Sequence, residues 1–370
     1  MQSSTVIHPS QRAAIQRLLD SGLSFALFRR PNALDVELVL QTTGEARTVD
    51  THETDLHGFI FAPFHETPHR PTLLIRPDVT ATGWTAIEAA TADLRPAKRL
   101  PLSQLSHSRS EMGSVENSNF YKRNFDTLLS QIAQERFEKL VLSYCQEAFS
   151  TNHMLDREAV TFLRALDKYP NGMIHLTYTP TSGRWIGCTP EQLLHRDGDS
   201  WHTVALAGTH AFGDGVWDTK NVHEQDVVRR FIQETLEGMG ATEILQKRST
   251  MQIGQLMHIR TDFDFRFAQR THTMDVVRSL HPTPAVSGYP QGHAYRYLVQ
   301  CERSCRNYFS GYLGLVDGNE NADLYVNLRC AQICKKATYY HAGGGLTPLS
   351  LFWEERQEIE RKMQMLKSLL

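Results

Sequence analysis

Short apolar runs separated by Pro, Gly and Asp open the chain. FALFRR (25–30), HGFIFAPF (57–64) and PTLLI (71–75) all read as strands. Residues 101–119, rich in Ser and Asn and without apolar periodicity, read as a linker or long surface connection. Beyond it, helical and extended patterns alternate. Residues 120–136 place Phe125, Leu128, Leu129 and Ile132 at helical spacing, and KLVLSYCQEAF (139–149) follows at once as a strand. A helical stretch at 157–168 precedes GMIHLTYTP (172–180) and GRWIGCTPEQLLHR (183–196), strand segments with a turn at Thr189-Pro190. Residues 221–237 predict a helix with Val228, Phe231, Ile232 and Leu236 on one face, stopped near Gly238 and Gly240. LGLV, ADLYVNLRCAQI and ATYYHAGGG are strand-like, and the chain closes with a helix from Phe352 to Leu370. No repeat at a fixed period is visible. So many apparent hairpins favour an α+β fold of large, mostly antiparallel sheets flanked by helices over a doubly wound parallel sheet. The organisation expected is a strand-rich region, 1–115, packed on a core, 116–370, as one compact unit.

Composition narrows the function. The 370 residues are 41% apolar and 22% charged, with 39 Lys+Arg against 41 Asp+Glu, a net charge of −2. That is a globular composition without the basic excess a nucleic-acid partner requires. No run approaches the roughly 18 apolar residues of a membrane span, and the first residues lack the layout of a secretory signal. A cytoplasmic protein without membrane contact is expected. Six Cys are too sparse for a disulfide scaffold. Cys301/Cys305 and Cys330/Cys334 share a C-x-x-x-C spacing that raises zinc, although structural zinc pairs usually carry tighter spacings. His52, His57, His65 and His69 sit among Pro and Phe at mixed spacings, more like a loop than a ligand cage.

Dinucleotide, P-loop, zincin and nucleophile-elbow fingerprints are all absent. Ala342-Gly343-Gly344-Gly345 follows a strand candidate and precedes a helix, where bare N–H groups could face an anion, though such a triplet is commonly just a tight turn. On the last helix, Phe352, Ile359, Met363, Leu366 and Leu370 form one stripe and Glu355, Glu358 and Lys362 a second at its edge. Two carboxylates at i and i+3 can point together at a pocket rim, while Glu358 and Lys362 also match the ordinary i, i+4 surface pair. With Glu224 near the start of the 221–237 helix as a third acid, the set suits a hard cation such as magnesium.

EKLVLS, WIGCTPEQLL, ALAGT, NVHEQDVV, LMHIRT, LHPTPAVSG, ERSCRNYFSG, YVNLRCA, HAGGGL and EERQEIERK occur in this order between Phe120 and Leu370. In this series the chain resembles the chorismate-utilising enzymes, and within them the isochorismate synthase branch. The resemblance implies a two-lobed chorismate-binding fold and magnesium-dependent conversion of chorismate to isochorismate, feeding menaquinone or siderophore synthesis. It implies that Lys139 is the general base for water attack at C2 and Glu191 the general acid for loss of the C4 hydroxyl. It also makes Glu224, Glu355 and Glu358 the Mg2+ ligands. Arg329, helped by backbone groups of Gly343 and Gly344, would pair with the enolpyruvyl carboxylate. Gly208, Thr209, His258, Thr283, Phe309 and Lys362 would line the pocket, with core packing the alternative for His258 and Phe309. Lys139 stands where the ammonia-using anthranilate branch typically lacks a base, and Ala207 where the aminodeoxychorismate branch has a nucleophilic Lys. Water is therefore the implied nucleophile, and no obligatory protein partner is implied. The chain departs from the family pattern at Tyr144, Gln225, Asn307 and Ala322-Asp323. Salicylate synthases, which share the Lys and Glu and then eliminate pyruvate, and a silent chorismate-binding relative are the alternatives.

Overall fold

FALFR, apolar at all but its last position, and MIHLTYT, with apolar residues on both of its faces, need cover on both sides. In the computed structural model, which describes residues 7–50, 52–97, 118–149, 157–213, 215–302, 306–318, 320–335 and 337–369, they are buried throughout. The chain begins with α1 (Pro9–Ser21), β1 (Phe25–Arg29), β2 (Glu37–Leu40), β3 (Arg47–Thr48), β4 (His57–Ala62), β5 (Leu73–Ile75), β6 (Val79–Thr82) and α2 (Trp84–Thr91). It continues with α3 (Ser118–Ala133), β7 (Lys139–Phe149), α4 (Arg157–Lys168), β8 (Met173–Thr179), β9 (Gly183–Thr189), β10 (Gln192–Asp197) and β11 (Ser200–Ala211). Then come α5 (Thr219–Gly238), β12 (Ala241–Ile253), β13 (Leu256–Phe267), α6 (Thr273–Leu280), β14 (Gly288–Tyr289) and α7 (Gln291–Cys301). The last elements are β15 (Tyr312–Asp317), β16 (Asn321–Val326), β17 (Cys330–Ile333), β18 (Ala337–Leu346) and α8 (Phe352–Lys367).

These strands form two nine-stranded sheets, in the orders β14-β7-β18-β17-β9-β8-β1-β2-β6 and β12-β13-β11-β10-β16-β15-β4-β5-β3. Their ladders are antiparallel, as the hairpin pattern predicts. Phe28, Trp185 and Met173 of the first sheet pack with Phe59, Phe61, Leu313 and Tyr325 of the second, so the sheets bury their inner faces against each other. The outer face of the first sheet carries α1, α3, α4 and α8, and that of the second carries α5 and α6. The result is a helix–sheet–sheet–helix sandwich.

The strand-like reading of ATYYHAGGG holds through its glycines, and one unassigned stretch gains an element. Gly343–Gly345 are not a turn after a strand but part of β18, paired with Ser143, Leu142 and Val141 of β7. Residues 241–267, unassigned by pattern, form the longest hairpin, β12–β13. The expected linker lies outside the described residues, except that α3 already begins at Ser118. Among the described residues no helix is long and apolar enough to cross a membrane.

Candidate active site

A cavity with about 620 Å³ of empty space opens between the sheets. One side is formed by β7 and β18, the other by β11, β13 and α5, with Val286 and Ser310 closing it.

The wall of the first sheet is built around Gly345. A Cβ there would meet Glu224 Oε1 at 2.1 Å and Lys139 Cε at 2.7 Å, so only glycine admits this pair. Lys139 Nζ lies 3.0 Å from Glu224 Oε1, with the Lys139 side chain wholly buried. Burial alone would raise the Glu224 carboxyl, but Lys139, Lys220 and Lys362 together hold it below its ordinary value. Gly345→Ala should overpack this contact at a cost of about 1–3 kcal/mol. A lower urea midpoint is expected, and an unchanged midpoint would mean that the wall has slack.

Glu191 follows β9 and faces the cavity. Burial pushes its carboxyl up to about 7, against the lowering pull of Lys139, Arg329 and Lys362 and a hydrogen bond with Thr283. Near neutrality it therefore holds its proton much of the time. Opposite, Arg329 interrupts the strand-like run between β16 and β17 with a left-handed backbone, φ 47°, which turns its guanidinium inward. Its Nη2 donates to His258 Nε2, and its buried Nη1 has no hydrogen-bond partner among the described residues. Burial, then Arg329 and Lys362, press His258 well below its ordinary value, so the ring is neutral. Because Nε2 accepts from the guanidinium, the neutral ring carries its proton on Nδ1, which lies 3.1 Å from Thr209 Oγ1. Gly208, at φ +71°, forms the bulge that brings Thr209 to the cavity, and a Cβ there would meet the Asn221 carbonyl at 2.6 Å. Asn221 Oδ1 in turn accepts from Thr209 N at 2.7 Å, and Asp218 caps α5 by accepting from Asn221 N at 2.7 Å.

The carboxylates of α8 lie beneath the glycines. Glu355 takes a fully buried position one turn before Ile359, and a Cβ on Gly344 would come 3.2 Å from its Oε2. It pairs with Lys220, from the first turn of α5. Burial, then Glu358, raises Glu355 to about 7 against the pull of Lys220. Glu358 pairs with Lys362 at 2.6 Å, and Lys362 Nζ also donates to the Gly343 carbonyl at 2.8 Å. This i, i+4 pair is mostly shielded from solvent rather than a surface pair. Burial opposes the charge on Lys220, but Glu355, Glu224 and Glu358 outweigh it and raise its pKa.

Of the sequence candidates, Glu191, Gly208, Thr209, Glu224, His258, Phe309, Arg329, Gly343 and Lys362 line the cavity. Lys139, Thr283, Gly344, Glu355 and Glu358 stand behind that lining. Phe309 also stacks on buried His341, so packing and lining are both true of it. The residues missed are Lys220, Gly345 and Asn221. A Glu at the edge of the apolar stripe of α8 is a signal for a buried cation, but nothing local marks Lys220 as that cation. Among the described residues no three His, Cys, Asp or Glu side chains stand at metal-binding spacing. The proposed metal ligands are instead matched with lysines. His57 pairs with Asp55 and Asp317, His65 contacts Tyr295, and Cys330 is buried in β17, while Cys305 lies outside the described residues.

A buried proton donor, a buried lysine and an unsatisfied guanidinium around one cavity make a site for acid–base chemistry on a small anionic molecule. The chain matches the family described as chorismate binding enzyme over residues 73–370, and it belongs to that family. It is 27% identical over 288 residues to the salicylate biosynthesis isochorismate synthase of Pseudomonas aeruginosa, covering 75% of this chain and 60% of the relative. It is 30% identical over 263 residues to the isochorismate synthase MenF of Pasteurella multocida, covering 65% of this chain and 59% of that protein. The chain thus spans about three fifths of the length of these relatives. The fold is shared with the menaquinone-specific isochorismate synthase MenF of Escherichia coli, with TM-score 0.76 and 20% identity over 99% of this chain and 92% of that one.

Proposed function

We propose that the protein converts chorismate to isochorismate by adding water at C2 and expelling the C4 hydroxyl. The observation that carries this reading is the pairing of Glu191, held up to about 7 by burial, with a lysine, Lys139, buried nearby. Hydroxide leaves poorly and water attacks poorly, so both ends of the reaction need proton transfer. Lys139 Nζ takes the proton of the attacking water. Glu191 gives its proton to the departing C4 oxygen, which leaves as water while both ring double bonds shift by one position. Arg329 Nη1 supplies a charge-assisted hydrogen bond to a carboxylate of the substrate. The neutral ring of His258 holds that guanidinium from behind.

Glu224, Glu355 and Glu358 are the residues that would hold Mg2+. Carboxylates are the hard-oxygen donors this ion accepts, and Glu355 already holds a cation there, the Lys220 ammonium. When bound, the ion would neutralise charge and polarise the ring carboxylate. Glu355→Gln should raise the magnesium concentration for half-maximal turnover by about tenfold or more. An unchanged magnesium curve would remove Glu355 from the ligand set.

The test is incubation of the purified protein with chorismate and MgCl2, with and without chelator, with products identified by mass and by a pyruvate assay. Isochorismate without pyruvate, lost on chelation, is expected. Salicylate with pyruvate would instead assign the bifunctional chemistry, and binding without conversion would make the chain a silent binder.

A further inference from the structure

Lys220 takes no part in the acid–base steps, yet it is at the centre of the carboxylate side of the site. Its ammonium pairs with fully buried Glu355. It also lies in the field of Glu224, one turn further along α5, and of Glu358 on α8. These are the same three carboxylates assigned to magnesium above. Such groups are expensive to bury without a counter-charge, and a lysine supplies a compact charge on a flexible stem. Unlike Lys139, whose side chain is wholly enclosed, the Lys220 side chain is 12% exposed.

We propose that Lys220 is a tethered cation that keeps the place of the divalent ion, balancing Glu224, Glu355 and Glu358 and withdrawing toward solvent when Mg2+ binds. The inference rests on the metal reading above and adds to it a built-in competitor. Its role is in positioning. It keeps three acids gathered beside Gly344 and Gly345, and it sets the magnesium affinity, because the ion gains access only to the fraction of molecules in which Lys220 has left.

Calorimetric titration of MgCl2 into the full chain, without chorismate, tests this. Lys220→Met keeps the stem and removes the charge, and should bind Mg2+ about tenfold tighter or more than the parent. Lys220→Arg, which retains a cation, should not gain. Equal or weaker binding by Lys220→Met would overturn the proposal while leaving the metal site standing. No binding by the parent chain would overturn the metal reading and this inference together. A second measurement needs no variant. Acetylation of the unaltered protein, followed by peptide mass analysis, should label Lys220 faster with MgCl2 than without. Unchanged or slower labelling would also overturn the proposal.

Discussion

Lys139→Met should lower turnover of chorismate by about 10²–10⁴-fold, the range general base catalysis contributes. Because Lys139 Nζ lies 3.0 Å from Glu224 Oε1, the variant also strands a buried carboxylate, a loss that in other proteins costs about 3–5 kcal/mol. Lys220 and Lys362, which also lower Glu224, soften that cost. The stability cost is read in the double variant Lys139→Met/Glu224→Gln, in which a proposed metal ligand is lost as well. Neutralising the partner should recover much of the urea midpoint and none of the rate. If the double variant regained turnover, the single variant's defect would be one of folding, and Lys139 would lose its role as base.

The second large effect is expected at Glu191. Glu191→Gln preserves shape but has no acidic proton, so turnover should again fall by about 10²–10⁴-fold. This position also carries a pH signature. The acid works only while protonated, and its pKa is raised to about 7, so turnover in the parent protein should decline as pH rises through about 7. The residual activity of Glu191→Gln should lose that alkaline limb. A parent profile flat from pH 6 to 8, or a variant that keeps the limb, would assign the proton to another group.

Much of this arrangement is legible in the sequence because local pattern and burial agree. KLVLSYCQEAF and the 157–168 helix occupy the predicted ranges, since each presents a continuous or periodic apolar face to a neighbouring layer. Elsewhere the deciding contacts are remote. In β12 most residues are partly or fully exposed, without a clean alternation, and its extended form comes from its ladder with twelve-residue β13 rather than from burial. The glycines of β18 look like punctuation. Their purpose appears only when α5 and α8 deliver Glu224 and Glu355 to the space that side chains would have filled. Lys220 is the extreme case. In sequence it is a polar residue in a helical first turn, and the acid it neutralises, Glu355, arrives from the other end of the chain.

The order of strands also determines when the protein can exist during synthesis. β3, β4 and β5 are joined to the rest of the second sheet through β15, which pairs 57–62 with 312–317. A nascent chain that has not yet emitted Tyr312 therefore carries the Phe59, Ile60 and Phe61 strand with an unpaired edge. Pairing at such sequence separation is slow, and open apolar edges attract other chains. Recombinant fragments ending before β15 should accordingly collect in the insoluble fraction, and chaperones that hold apolar segments would be needed for longer than in a protein whose sheets close as they emerge.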